Sequence, residues 1–234
     1  MTKGGKGLLV LVLVIAVFGG VLVGAGILVS GMGKPSVPKK AILELDLERG
    51  IPETQPDNPF AAFGGERTLT LRDVVDALEK AGEDPHVVGL VARLGAAPIG
   101  VAEIQEIRDA VKAFRAKKKF AVAYSETFGE FGPGNGPYYL ATAFDEIWLQ
   151  PSGDLGLNGL VGESPFLRGV LDKLGVKPEF GQRHEFKNAM NQYTETKFTD
   201  AHREATKALI ESIYGQMVKG IAEGRKMTEA EVRS

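Results

Sequence analysis

Residues 120–149 read FAVAYSETFGEFGPGNGPYYLATAFDEIWL, and their order decides the fold. The apolar run from Phe120 to Ser125 follows the basic trio Lys117, Lys118 and Lys119. Such a run predicts a buried parallel strand. A glycine-rich turn from Gly129 to Gly136 comes next, and Gly132, Gly134 and Gly136 can take backbone angles closed to other residues. Pro137 suits the first turn of a helix, where its missing N–H costs nothing. Residues 137–144 therefore predict a short helix, and Asp145-Glu-Ile-Trp-Leu149 a second strand. A glycine-rich loop that opens a helix at the end of a parallel strand puts backbone N–H groups at a sheet-edge crevice. Open α/β folds place their sites there. The same stretch also suits a crossover loop without chemistry.

Working outward toward the N-terminus, the alternation continues. Residues 41–47 alternate apolar and acidic side chains, as an edge strand with one wet face does. Residues 50–67 carry three prolines and read as a long loop. Residues 70–81 predict a helix, with Thr70 and Asp73 at capping positions and Leu71, Val74, Val75 and Leu78 on one face. Residues 87–94 predict a buried strand, 95–100 a tight small-residue loop, and 101–117 a helix with Ile104, Ile107, Val111 and Phe114 on one side. Strand and helix alternating in this way argue an α/β domain with a mainly parallel sheet.

Toward the C-terminus, residues 151–159 are rich in turn formers, 166–174 predict a short helix and 177–182 a possible strand. Residues 183–197 are polar with weak periodicity. Residues 199–225 predict a long helix whose apolar stripe is Leu209, Ile210, Ile213, Tyr214, Met217 and Ile221. Thr228-Glu-Ala-Glu231 has the pattern of a capping box. With three residues after it, the box suggests the front part of something longer.

At the other end, residues 8–29 are uninterruptedly apolar, with Lys3 and Lys6 before them and Lys34, Lys39 and Lys40 after. A helix of that length spans about 30 Å, the thickness of a bilayer core. The run exceeds the apolar core of a cleaved signal peptide, and no clean Ala-x-Ala site follows. It predicts a retained transmembrane helix, a signal anchor over residues 1–33. Residues 34–40 then form a linker and residues 41–234 the α/β domain. The small-residue stripe Gly20-x-x-x-Gly24 suits helix packing only weakly. The flanking lysines nearly balance, so charge does not fix orientation.

Composition removes several classes of function. The net charge of −2 in 234 residues offers no basic footprint for nucleic acid. The absence of cysteine removes disulfides, thiolate metal sites and a cysteine nucleophile. Three histidines, His86, His184 and His202, argue against a multi-histidine metal centre, and no cofactor motif is present.

Four blocks carry a resemblance: Pro137-Tyr-Tyr-Leu-Ala141, Asp145-Glu-Ile-Trp148, Leu171-Asp-Lys-Leu-Gly175 and Phe186-Lys-Asn-Ala189. Together they resemble the signal peptide peptidase A family, also called protease IV. These are membrane-anchored serine peptidases with the Clp protease and crotonase type of fold. The resemblance implies a serine–lysine dyad in which a neutral lysine takes the seryl proton. In short members the serine lies in a Ser-Gly-Gly-Tyr-Tyr type of motif. Here the matching stretch is Asn135-Gly-Pro-Tyr-Tyr139, so an asparagine stands at the serine position. Long members are tandem duplications whose first repeat supplies the lysine and whose second supplies the serine. Lys187 falls at the lysine position, so the resemblance implies a front repeat of a long form, inactive by itself, with a C-terminal repeat or another subunit bringing the serine. It also implies peptide substrates, namely cleaved signal peptides, and a catalytic domain on the outer, periplasmic face of the cytoplasmic membrane.

A lysine that works as a base must be neutral near working pH, which demands burial or a positive neighbour. Phe186, Ala189 and Met190 could wall Lys187; an exposed lysine is the ordinary alternative. Ser125 and Ser152 are the other candidate nucleophiles, although serines at strand ends usually bond local backbone. Gly100, in the loop after the second strand, is a weak candidate for oxyanion binding. Three readings follow: a peptidase half-site, a non-catalytic membrane-anchored scaffold of the same fold, and a crotonase-type enzyme acting on acyl-CoA, which the anchor disfavours.

Overall fold

The structure, a computed structural model, describes residues 38–55, 68–95, 99–130 and 132–234. The expected transmembrane helix over residues 8–29 and the centre of the loop over 50–67 lie outside the described residues. Among those described, no helix is long and apolar enough to cross a membrane. The chain divides into two compact units, Met1–Lys40 and Ala41–Ser234.

The second unit is built on four strands, β1 (Ala41–Asp46), β2 (Val87–Leu94), β3 (Phe120–Ser125) and β4 (Glu146–Leu149). They lie in sequence order and every pair is parallel. The expected α/β class with a parallel sheet is thus present. Helices α1 (Leu71–Glu83), α2 (Val101–Ala116) and α3 (Asn135–Ala141) make the crossovers.

Each of these helices starts and stops for a local reason. Thr70 Oγ1 accepts the Asp73 N–H and the Asp73 carboxylate accepts the Thr70 N–H, closing the expected box at α1. At its other end, Lys119 Nζ donates to the Ala81 and Asp84 carbonyls, 2.6 Å from each, and Lys117 meets Glu83 at 2.6 Å. Two of the basic trio before β3, Lys117 and Lys119, are therefore a clasp on the end of α1. Lys118 takes a left-handed φ of 62°, which stops α2 and turns the chain into β3. Arg115 Nε donates to Asp145 Oδ1 at 2.7 Å, and Asp145 Oδ2 accepts the Ala121 N–H at 2.8 Å. Asp145 thereby sets the register of β4 against β3.

One face of the sheet is closed. Leu45, Leu90, Ala92, Leu94, Ala121 and Ala123 point into a core completed by Val74 and Leu78 of α1, Ile104, Ile107, Val111 and Phe114 of α2, and Leu140 of α3. Each large side chain so buried contributes about 1.5–3 kcal/mol of transfer free energy. The other face, which follows from the period of two along each strand, carries Ile42, Val91, Phe120, Val122, Tyr124 and Trp148, all exposed or half-buried. Gly89 lies under the Phe120 ring, and a Cβ there would overlap that ring. Parallel sheets normally bury both faces, so this face, left open among the described residues, is a departure.

Past β4 the chain changes character. Helix α4 (Arg168–Lys173) matches the short helix expected over 166–174 but buries no residue. The possible strand over 177–182 does not form: no strand is assigned there, Phe180 is 50% exposed, and Pro178 removes a donor. The polar stretch 183–197 yields one short helix, α5 (Asn191–Thr194). The long helix α6 (Asp200–Arg225) is capped by Thr199 as its sequence suggests. Its expected stripe is only partly buried: Met217 and Ile221 pack on the core, with Val218 and Ala222, while Leu209 is 62% exposed. The capping box at Thr228 serves a short helix, α7 (Glu229–Arg233), within the chain itself.

Candidate functional site

The turn between β3 and α3 is held tightly by its own backbone. Phe128 and Leu155 form a parallel bridge, the Gly156 N–H donates to the Phe128 carbonyl at 2.7 Å, and the Gly134 N–H donates to the Gly156 carbonyl at 3.1 Å. Gly134 is required by this closeness, because a Cβ there would collide with the Phe128 carbonyl. The turn therefore delivers α3 against residues 155–159.

Asn135 is the first residue of α3 and is 9% exposed. Its Nδ2 donates to the Gly159 carbonyl at 2.8 Å and to Asn158 Oδ1 at 3.0 Å, and its Oδ1 accepts the Gly159 N–H at 3.3 Å. One side-chain amide thus pairs with both backbone groups of Gly159, as a neighbouring strand residue would. A serine hydroxyl is too short to do both. Beside it lies an apolar cavity of about 70 Å³, lined by Leu157, Leu160, Met217 and Ile221 among others.

Lys187 is exposed and lies between α4 and α5. Its N–H donates to the His184 carbonyl at 3.3 Å, and its own carbonyl accepts from Gln182 Nε2 at 3.3 Å. His184 adopts a left-handed φ of 66°, which turns the loop just before Lys187. The Lys187 ammonium has no hydrogen-bond or ion-pair partner among the described residues, and the neighbouring Phe186 is exposed. Among the described residues, Phe186 therefore does not shield Lys187 from water. No hydrogen bond among the described residues joins Lys187 to Asn135 or to a serine.

The other candidates are engaged elsewhere. Ser125 is buried, with its Oγ 2.8 Å from the Leu94 carbonyl and 2.7 Å from the Thr127 carbonyl, so its proton is held by backbone acceptors. Ser152 is exposed in a turn and accepts from Gln150 Nε2 at 2.7 Å. The Gly100 N–H is taken by Glu103 Oε2 at 2.5 Å as the start of α2, and so is not free for an oxyanion; residues 96–98 of the same loop lie outside the described residues. The three histidines are far apart in role: His86 meets Asp84 at the surface, His184 turns the loop before Lys187, and His202 packs against Phe166 and Phe198.

Arg108 is the polar residue that the sequence reading missed. It is 2% exposed and donates to the Tyr139 carbonyl, to Thr142 Oγ1 at 2.8 Å and to the Gly220 carbonyl at 3.1 Å, with its guanidinium stacked on the Tyr139 ring. Burial pushes its pKa below the ordinary arginine range. It ties α2, α3 and α6 together beneath the turn that carries Asn135. Its spacing was the available signal: Arg108 lies four residues after Ile104 and three before Val111, on the apolar stripe of its helix.

The model of peptidase family S49 matches residues 113–234, slightly more than half of the chain. The chain belongs to that family. Among curated relatives it is similar to the chloroplastic serine protease SPPA of Arabidopsis thaliana, 27% identical over 70% of this chain and 24% of that protein. It is also similar to protease 4 of Haemophilus influenzae, 27% identical over 69% of this chain and 26% of that protein. Protease 4 of Salmonella typhi is 26% identical over 68% and 25% respectively. The chain thus spans about a quarter of the length of the curated relatives it matches. These matches bear out the expected signal peptide peptidase A resemblance.

Proposed function

We propose that this chain is the lysine-bearing half of a membrane-anchored serine–lysine peptidase. Lys187 acts as general base for a serine supplied by a C-terminal repeat or by another subunit. Membership of family S49 carries the reaction class. Asn135 carries the inference that the nucleophile comes from elsewhere, because the position is filled by an amide already committed to Gly159. The exposure of Lys187 fits the same reading: it stands on a segment whose neighbours Phe180 and Phe186 are also uncovered. A partner seated there would remove water from the ammonium and lower its pKa toward the neutral form a base needs. The substrates are peptides, with cleaved signal peptides as the class. Residues 8–29 anchor the assembly, with the domain on the periplasmic face.

The test uses the full gene product in its assembled form. Lys187→Ala should lower peptide hydrolysis by about a thousandfold or more with assembly intact. Lys187→Arg should do the same, because a guanidinium does not give up its proton. Lys197→Ala should leave turnover within a small factor. Residues 1–234 alone should not be labelled by a fluorophosphonate. Near-normal turnover in Lys187→Ala would favour the second reading, a non-catalytic scaffold. The structural use of Asn135 is the observation on that side.

A further inference from the structure

Helices α1 and α2 pack side by side on the sheet, and a groove of about 410 Å³ runs between them. Its floor is apolar: Val75 and Gly82 come from α1, and Ala110, Ala113 and Phe114 from α2. Val75 and Ala110 are half-buried and Ala113 is exposed. A Cβ added at Gly82 would make only ordinary contacts, 3.7 Å from Lys117 Cγ and 3.9 Å from Phe114 Cδ2, so the space over Gly82 is open. The rim is acidic. Glu79, Glu83, Glu106 and Asp109 line it against one ammonium, Lys117, which is already held by Glu83 at 2.6 Å. Glu79 and Glu106 have no ion-pair partner among the described residues, and Asp109 also acts on Arg108 through its charge.

We propose that this groove seats a cationic amphipathic helix of another polypeptide. The floor asks for apolar side chains, which displace its water. The rim asks for lysine or arginine on the flanks of the guest, because an acidic or neutral guest would leave the carboxylates without compensation. The walls ask for a helix. The backbone groups of α1 and α2 are paired within each helix, so an extended guest would lay N–H and C=O groups on an apolar floor that offers no ladder, whereas a helix satisfies its own. Gly82, Ala110 and Ala113 are small and let the guest's ridge of side chains enter between the two helices. A guest of about three to four turns matches α1 in length. The proposal concerns recognition of a partner and does not depend on the peptidase reading.

The chain has no cysteine, so Ala113→Cys puts a single thiol in the groove. The probe is a synthetic peptide of Leu and Lys at helical spacing, with one cysteine on its apolar face activated as a mixed disulfide. It is offered to the full chain in a mild detergent, and each exchange rate is divided by that of a small neutral disulfide at the same site. Exchange at Ala113→Cys should be about tenfold or more faster than at Leu209→Cys, an exposed position on α6. Glu79→Lys with Glu106→Lys should remove that advantage from the Ala113→Cys chain. Ala110→Leu, which fills the floor, should remove it too, with circular dichroism unchanged in both. A scrambled peptide of the same composition and a Leu and Glu peptide of the same pattern should react no faster at Ala113→Cys than at Leu209→Cys. Equal rates of the patterned peptide at the two positions overturn the proposal. So does a scrambled peptide as fast as the patterned one, which would mean that charge alone draws it in. A disulfide between two copies of the Ala113→Cys chain that outruns reaction with the peptide would also overturn it, by making a second copy the occupant.

Discussion

The sheet with α1–α3 and the segment from Leu155 to Phe198 both carry large apolar side chains, yet they fold by different means. In the first, Leu90, Ala92, Ile107, Val111, Ala121 and Ala123 are fully shielded from water, and a basic clasp and two capping boxes or their equivalents fix the helix ends. In the second, only Asn191 is buried, and the helices are of six and four residues. The first region is stable through its own core. The second has local turns and an aromatic cluster of Phe166, Phe198 and His202, and presents its remaining apolar side chains outward. The lesson is that apolar residues alone do not make a core here: one set is packed inside, and the other stays exposed among the described residues.

Amide exchange should show the widest gap. Protection in β2 and β3 should exceed that in residues 176–187 by about a thousandfold or more, because the latter opens without disturbing the core. Equal protection would erase the contrast. Core truncation comes next. Phe114→Ala should cost about 3–5 kcal/mol in urea unfolding, whereas Phe180→Ala in the unassembled chain should stay within about 0.5 kcal/mol. Arg108→Met should cost about 2–4 kcal/mol, since it removes the buried hydrogen bonds to the Tyr139 carbonyl, Thr142 Oγ1 and the Gly220 carbonyl. A loss smaller than that of Thr70→Ala, about 1 kcal/mol, would mean that α6 holds to the core without this tie.

The smallest effect is electrostatic. The Lys117 ammonium, by hydrogen bond and by charge, holds the Glu83 carboxyl below its ordinary pKa. A carboxyl depressed in the folded state stabilises the fold above its unfolded pKa and ceases to do so as pH falls through the folded value. Glu83→Gln should therefore lower stability slightly at neutral pH and converge with the unsubstituted chain in acid, which flattens the acid limb of the stability curve. A change at neutral pH as large as that from Thr70→Ala would show that the clasp does more than cap α1.

Residues 41–149 were legible as a fold because their information is local and periodic. The strand at 87–94, the helix expected over 101–117 and the box at Thr70 are each written in a few neighbouring residues, and the structure has them there, the helix ending one residue earlier at Ala116. The lysine and asparagine positions were legible only through the motif blocks around them, which is a likeness and not a force. Tertiary structure decided the rest. Asn135 pairs with Gly159, 24 residues away, and Arg108 bonds Gly220, 112 residues away. No window along the chain contains both partners of either pair. The strand expected over 177–182 failed for a related reason: a strand exists only where another backbone offers its ladder, and among the described residues none does. Sequence fixes which side chains are apolar. Which of them are buried and which stay exposed depends on which elements pack against the sheet.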